Sequence, residues 1–138
     1  MKIMVSACLL GENCKYNGGN NRNEAVLKFI EGHELIAVCP EVMGGLPIPR
    51  ESAEIVDGVV RVATGRSVDS EFRKGARMAF EQAMAGQIDC AILQSRSPSC
   101  GVKQVYDGSF SGRKIPGSGV FARMLMDAGI KVIDVEDL

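Results

Sequence analysis

The sequence predicts a three-layer α/β domain, a mostly parallel sheet with helices on both faces. Three observations lead there. Short apolar runs of strand length alternate with segments whose apolar residues recur at helical spacing. The early strand-like runs pass into loops rich in Gly, Asn or Pro, the usual route from a buried strand to a crossover. The chain has 138 residues, 46% apolar and 24% charged, which supplies one core and hardly two. The expectation is a single domain spanning residues 1–138.

Ile3 to Ala7 reads as a buried strand running into Cys8. Asn13 to Asn21 is loop, rich in Asn and Gly. From Asn23, Val26, Leu27 and Ile30 fall at helical spacing, and Gly32 is a natural stop. Leu35 to Val38 is a second strand, ending in Cys39-Pro40-Glu41. Strand, helix, strand at this spacing is a βαβ unit, right-handed by default. Gly44 to Pro49 is a Gly/Pro loop, and Ile55 to Val62 suggests a hairpin around Asp57-Gly58. A helix is expected within Ser67 to Gly86, capped by Asp69 or Ser70, with Phe72, Ala76, Ala79, Phe80 and Ala83 on one face. Cys90 to Leu93 is a third core strand, running into Ser97-Pro98-Ser99-Cys100-Gly101. Tyr106 to Gly119 is a loop rich in Gly and Ser, Val120 to Ala128 a helix, and Ile130 to Val135 a last strand. The pattern is that of a Rossmann-like domain.

The formal net charge is −1. A protein that grips duplex DNA through its phosphates carries a basic excess, so a small-molecule partner is the better expectation. The N-terminal run lacks the flank and cleavage site of a signal peptide, and no apolar run approaches the ~20 residues of a membrane span. A cytoplasmic location is expected. Thiols stay reduced there, and an odd count of 5 cysteines argues against a disulfide framework.

Ligands of parallel α/β sheets bind outside the carboxyl ends of the strands. Cys8 and Cys39 stand at two such ends, and Cys100 lies in the loop after a third. These three cysteines should therefore meet at one edge, where Cys14 could join them. Cys90 begins its strand and reads as core packing at the opposite edge. Converging thiolates repel and would reprotonate unless a metal centre compensated them. Sulfur ligands suit zinc or an iron–sulfur cluster. The close C-x₂-C pairs of structural zinc sites and of thiol redox proteins are missing. Scattered ligands suit a cluster with one open iron.

Four ordered segments carry a resemblance. They are Ser6-Ala7-Cys8-Leu9-Leu10-Gly11 with Cys14-Lys15-Tyr16-Asn17-Gly18-Gly19, and Cys39-Pro40-Glu41-Val42-Met43-Gly44-Gly45-Leu46-Pro47. Ser97-Pro98-Ser99-Cys100-Gly101 and Tyr106-Asp107-Gly108-Ser109-Phe110-Ser111-Gly112 complete the set. In these the chain resembles the 2-thiouracil desulfurase family, formerly a domain of unknown function. The resemblance implies a [4Fe-4S] cluster held by three cysteines, the fourth iron being free for the substrate's sulfur. Carried onto this chain, the ligands are Cys8, Cys39 and Cys100, with Cys14 a possible fourth ligand or a nearby thiol. Asn17 stands where the family often has Asp. The implied substrate is a thiolated pyrimidine base, nucleoside or nucleotide.

Desulfuration by water needs a base for the water and an acid for the ring. Glu41, two residues past Cys39, is the best-placed carboxylate; its plainer reading is a helix cap. Ser97 and Ser99 either hydrogen-bond the substrate or hold their loop by turn bonds. His33, the only histidine, reads as a solvated turn residue at the far edge. The segment Gly108 to Gly119 offers backbone N–H groups to a phosphate or is simply a turn-rich loop. Met78, Met84, Met124 and Met126 read as helix packing. The competing functions are a metal- or sulfide-binding protein without turnover, and a thiol redox protein.

Overall fold

The computed structural model describes residues 1–138. In chain order its elements are β1 (Lys2–Ser6), α1 (Glu24–Phe29), β2 (Glu34–Val38), α2 (Pro40–Met43), β3 (Ala53–Val56) and β4 (Val59–Val62). They continue with α3 (Asp69–Gly86), β5 (Cys90–Leu93), β6 (Gln104–Tyr106), β7 (Lys114–Pro116), α4 (Val120–Asp127) and β8 (Lys131–Asp134). Short 3-10 turns follow β1 at Ala7–Leu10 and β8 at Val135–Asp137.

The central sheet has four strands in the order β2-β1-β5-β8, and every pair is parallel. Its side chains alternate between two apolar layers, as the period of two in a strand requires. Met4, Ala91 and Leu93 face Phe72, Ala76, Ala79 and Ala83 of α3 and Phe121 and Leu125 of α4. Ile3, Val5, Cys90 and Ile92 face the other way, toward Val26 of α1. The three-layer expectation therefore holds, with helices on both faces. The buried strands read as unbroken apolar runs because both faces are covered.

Two antiparallel hairpins, β3-β4 and β6-β7, stand outside this sheet. The first is the expected Asp57-Gly58 hairpin, with both turn residues at positive φ. The second is not read from the sequence, its strand β7 falling within the Tyr106 to Gly119 loop: strands of three residues are too short to show a period. Helix α2, a single turn, is invisible for the same reason; Pro40 at its start supplies the φ a first helical residue needs.

Some expectations need correction. Helix α3 has Val68 at its N-cap and no side-chain cap. Asp69 instead accepts from Val60 N at 3.0 Å and pairs with Arg73, tying the helix start to the β3-β4 hairpin. Of the four methionines, Met124 and Met126 pack on the core, whereas Met78 and Met84 are 38% and 42% exposed. His33 is half-buried, with Nδ1 2.9 Å from the terminal amine.

Two backbone contacts place the strand-end loops. Helix α2 lies on α3 at Gly44 and Gly75, where backbone meets backbone. A Cβ on Gly75 would fall inside the Pro40 carbonyl, and one on Gly44 inside the Glu71 carbonyl. At α4, the first N–H groups are taken by the loop after β5: Val120 N donates to Pro98 O at 2.9 Å and Phe121 N to Ser99 O at 2.9 Å. A Cβ on Gly119 would stand 2.5 Å from Ser99 C.

Gly75→Ala should therefore destabilise the protein by about 1–3 kcal/mol through overpacking, although alanine is the better helix former. Lys74→Ala, on the exposed face of the same helix, should be near neutral. Urea unfolding of both variants checks this; equal stability would mean α2 can lift off α3 freely.

Candidate active site

The carboxyl ends of β1, β2 and β5 open into a cavity of about 520 Å³. The ends of β1 and β5 flank the point where the strand order reverses, the position at which such sheets take ligands. Ser6 Oγ closes the seam there, accepting from Gln94 N at 3.0 Å. Four cysteines line the cavity: Cys8, Cys14, Cys39 and Cys100. Cys90 is buried in the core at the start of β5 and does not line the cavity. All five cysteines are unpaired.

Each cavity thiol is fixed by its backbone. Cys8 sits in the turn after β1, where Asn21 N donates to Cys8 O at 2.9 Å and Asn21 Nδ2 to Cys8 Sγ at 3.5 Å. Cys39 follows β2 in extended conformation and opens α2, its Sγ 3.8 Å from the Cys14 carbonyl. Cys100 is held by Ser97 Oγ, which accepts from Cys100 N at 3.0 Å and from Ser99 N at 3.1 Å.

The thiols differ in how readily they ionise. A hydrogen bond from Cys14 lowers Cys39 to about 7 against the effect of burial. The same donor, helped by Asn21, lowers Cys8. Cys14, whose single thiol hydrogen is shared between Cys39 and Cys8, is raised by those hydrogen bonds and by burial. Burial pushes Cys100 up to about 12. A cation among them would favour the thiolates throughout.

Beside the thiols lies a polar chain. Glu41, in the first turn of α2, has both oxygens engaged: Arg50 Nε donates to Oε1 at 3.2 Å and Ser99 Oγ to Oε2 at 2.9 Å. Ser99 Oγ also lies 3.7 Å from Cys100 Sγ. A hydroxyl has one hydrogen, and the closer carboxylate is the stronger acceptor, so Ser99 donates to Glu41. The Ser97–Ser99 contact of 2.9 Å then runs from Ser97 to Ser99. The result is a directed chain, Ser97 to Ser99 to Glu41, with Ser97 at the cavity wall and Ser99 only 1% exposed. Glu41 is thus no surface cap.

The cavity gathers Cys8, Cys14, Cys39, Cys100, Glu41 and Ser97. The phosphate reading of Gly108 to Gly119 finds no support at α4, whose first N–H groups already bond to carbonyls of Gly101, Pro98 and Ser99. Sequence reasoning missed Arg50. Its guanidinium is 6% exposed and also donates to Cys14 O at 2.9 Å and Pro47 O at 3.2 Å. The available signal was an arginine directly after an apolar Gly/Pro loop, where a charge needs a partner.

Comparison with known proteins adds three findings. The family model described as 2-thiouracil desulfurase matches residues 3–137. The uncharacterized protein YbbK of Bacillus subtilis (strain 168) is 38% identical over 99% of this chain and 97% of its own. The solved structure of the [4Fe-4S]-dependent thiouracil desulfidase TudS superposes with a TM-score of 0.92 at 39% identity, over 99% of this chain and 92% of that one.

Arg50→Met should leave the Glu41 carboxylate facing apolar surroundings and cost about 2–4 kcal/mol, as breaking a largely buried pair does. Adding Glu41→Gln should restore part of it, with a coupling of about 1–3 kcal/mol. A double-variant cycle by urea unfolding of reduced, metal-free protein measures this; zero coupling would make the ion pair incidental.

Proposed function

Since the chain belongs to the 2-thiouracil desulfurase family, we propose that it hydrolyses thiolated pyrimidines (thiouracil, thiouridine or its phosphate), releasing hydrosulfide and leaving a carbonyl. The observation that carries this reading is one cavity holding both a set of thiols and a Ser97–Ser99–Glu41 proton chain.

The donor set fits a [4Fe-4S] cluster. Sulfur ligands suit iron. Cys8, Cys39 and Cys100 are the ligands, because they follow β1, β2 and β5, consecutive strands whose ends form one row. Cys14 is the remaining cavity thiol, carried on the long loop between β1 and α1; its contact with Cys8 and Cys39 makes it the alternative third ligand. When bound, the cluster supplies a thiophilic Lewis acid for the substrate's exocyclic sulfur.

The protein supplies the proton handling. Water adds its oxygen to the ring carbon, the carbon–sulfur bond breaks, and no electrons change hands. Each Glu41 oxygen keeps a second lone pair, so the carboxylate takes a proton from the water while Arg50 and Ser99 fix its orientation. Ser97 Oγ has both lone pairs occupied by backbone N–H groups. It can therefore only donate, and turning its hydrogen from Ser99 into the cavity presents that donor to the substrate's ring. Unpaired cysteines suit a reducing cytosol; no helix is long and apolar enough to cross a membrane.

The test is anaerobic cluster reconstitution followed by sulfide release from thiouracil, thiouridine and its phosphate. Glu41→Gln should hold iron normally and lose about 10²–10⁴ in rate. Cys100→Ser should lose iron, whereas Cys14→Ser and Cys90→Ala should keep it. A wild type that binds iron and releases no sulfide would overturn the enzymatic reading. Loss of iron in Cys14→Ser with retention in Cys100→Ser would exchange the two ligands.

A further inference from the structure

Phe110 has no place in the packing of the fold. It belongs to the loop between β6 and β7, is half-buried, and packs on neither apolar layer of the sheet. It lines the cavity that holds the thiols. Its φ is +57, a left-handed conformation that a bulky aromatic residue rarely adopts. Such a conformation persists only where the surroundings impose it.

The surroundings do impose it. Glu54 Oε1, from β3, accepts from both Gly108 N at 2.9 Å and Phe110 N at 3.2 Å. Asp107 accepts from Ser109 N at 2.9 Å, tightening the same loop. Gly108 lies against the backbone of Ile55 and Val56, where a Cβ would stand 2.7 Å from Ile55 O. Glu54 itself lines the cavity. A carboxylate, a close backbone contact and a strained residue thus combine to hold one aromatic ring at the cavity wall.

Two other aromatic residues line the cavity: Tyr16 is 45% exposed, Tyr106 ends strand β6, and neither has the backbone strain of Phe110. The cavity thiols and the Glu41 chain supply sulfur and proton chemistry but no flat apolar surface for a planar ring. Resting on the reading of the substrate as a thiolated pyrimidine, we propose that Phe110 is the stacking face for the pyrimidine ring and so a substrate-binding residue. Stacking on an aromatic side chain tolerates changes at the ring's edge, since every base has a π-face. The ring would then be held alike before and after its sulfur is exchanged for oxygen. Binding shared equally by ground and transition states changes KM and not kcat.

The test uses Phe110→Gly, Phe110→Ala and Phe110→Tyr in the reconstituted protein. Glycine suits a φ of +57, so Phe110→Gly removes the ring without straining the loop. Three quantities are read: iron content, affinity for uracil by calorimetry, and KM and kcat for thiouracil. Phe110→Gly and Phe110→Ala should keep iron and kcat, weaken uracil binding about tenfold and raise KM by a similar factor. Phe110→Tyr should match wild type in all three. Unchanged uracil affinity and KM in Phe110→Gly would overturn the proposal, as would a Phe110→Tyr variant that loses as much as Phe110→Gly. Uracil binding needs no turnover. A wild type that binds uracil but releases no sulfide would therefore count against the reaction while still deciding the role of the ring.

Discussion

The cavity depends on one buried charge. The Arg50 guanidinium is almost wholly out of water, and its partner Glu41 nearly so, with Nε 3.2 Å from Oε1. Taking two ions out of water costs several kcal/mol apiece, and their attraction offsets this only if the remaining donors and acceptors are also satisfied. Arg50 meets that condition by reaching the carbonyls of Cys14 and Pro47, and Glu41 by accepting from Ser99. No buried polar side-chain atom is left without a partner. The satisfaction of one charge thereby fixes three segments: the loop carrying Cys14, the turn opened by Cys39, and the loop carrying Cys100. Such a pair adds little net stability, but it admits only one arrangement of those segments.

The helices enforce the same arrangement from beneath. Helix α2 is too short to stand alone, since a single turn forms few of its own hydrogen bonds. Its place is set by the glycine contact with α3, which lets backbone approach backbone. The N-terminus of α4 offers unsatisfied N–H groups, and the carbonyls of Pro98 and Ser99 take them. A helix end that attracts anions elsewhere is here consumed in holding the Cys100 loop. The loops that line the cavity are therefore stabilised by backbone groups, which leaves their side chains free to face it.

Much of this was legible in the sequence because it follows from periodicity. The four strands of the central sheet, α1, α3, α4 and the Asp57-Gly58 hairpin all show spacing or turn chemistry that local physics dictates. The meeting of Cys8, Cys39 and Cys100 at one cavity followed from the strand-end rule alone. What stayed hidden is what has no local signature. A four-residue helix such as α2 and three-residue strands such as β6 and β7 cannot display a period. Asp69 looked like a cap because its competing partner, Val60 N, comes from another hairpin. Arg50 and Asn21 were missed because their partners lie 9 and 13 residues away and beyond in the chain, in contacts that only the fold creates.

Ser97 shows how a turn residue can also set the direction of a hydrogen-bond chain. Its oxygen accepts from the N–H groups of Ser99 and Cys100, which is ordinary turn chemistry. Those same bonds occupy its lone pairs and leave it nothing to do but donate. Ser99, beside it and only 1% exposed, is committed to Glu41 by the short contact to the carboxylate. The turn that positions Cys100 therefore also sets the direction of the hydrogen-bond chain, away from Ser97 and toward Glu41. Structure and chemistry use the same hydrogen bonds, so the loop cannot be loosened without also reversing or breaking the chain. That coupling is the reason a hydroxyl residue, and not merely any turn-forming one, suits position 97: an ionised aspartate would satisfy the turn but has no hydrogen to donate to Ser99.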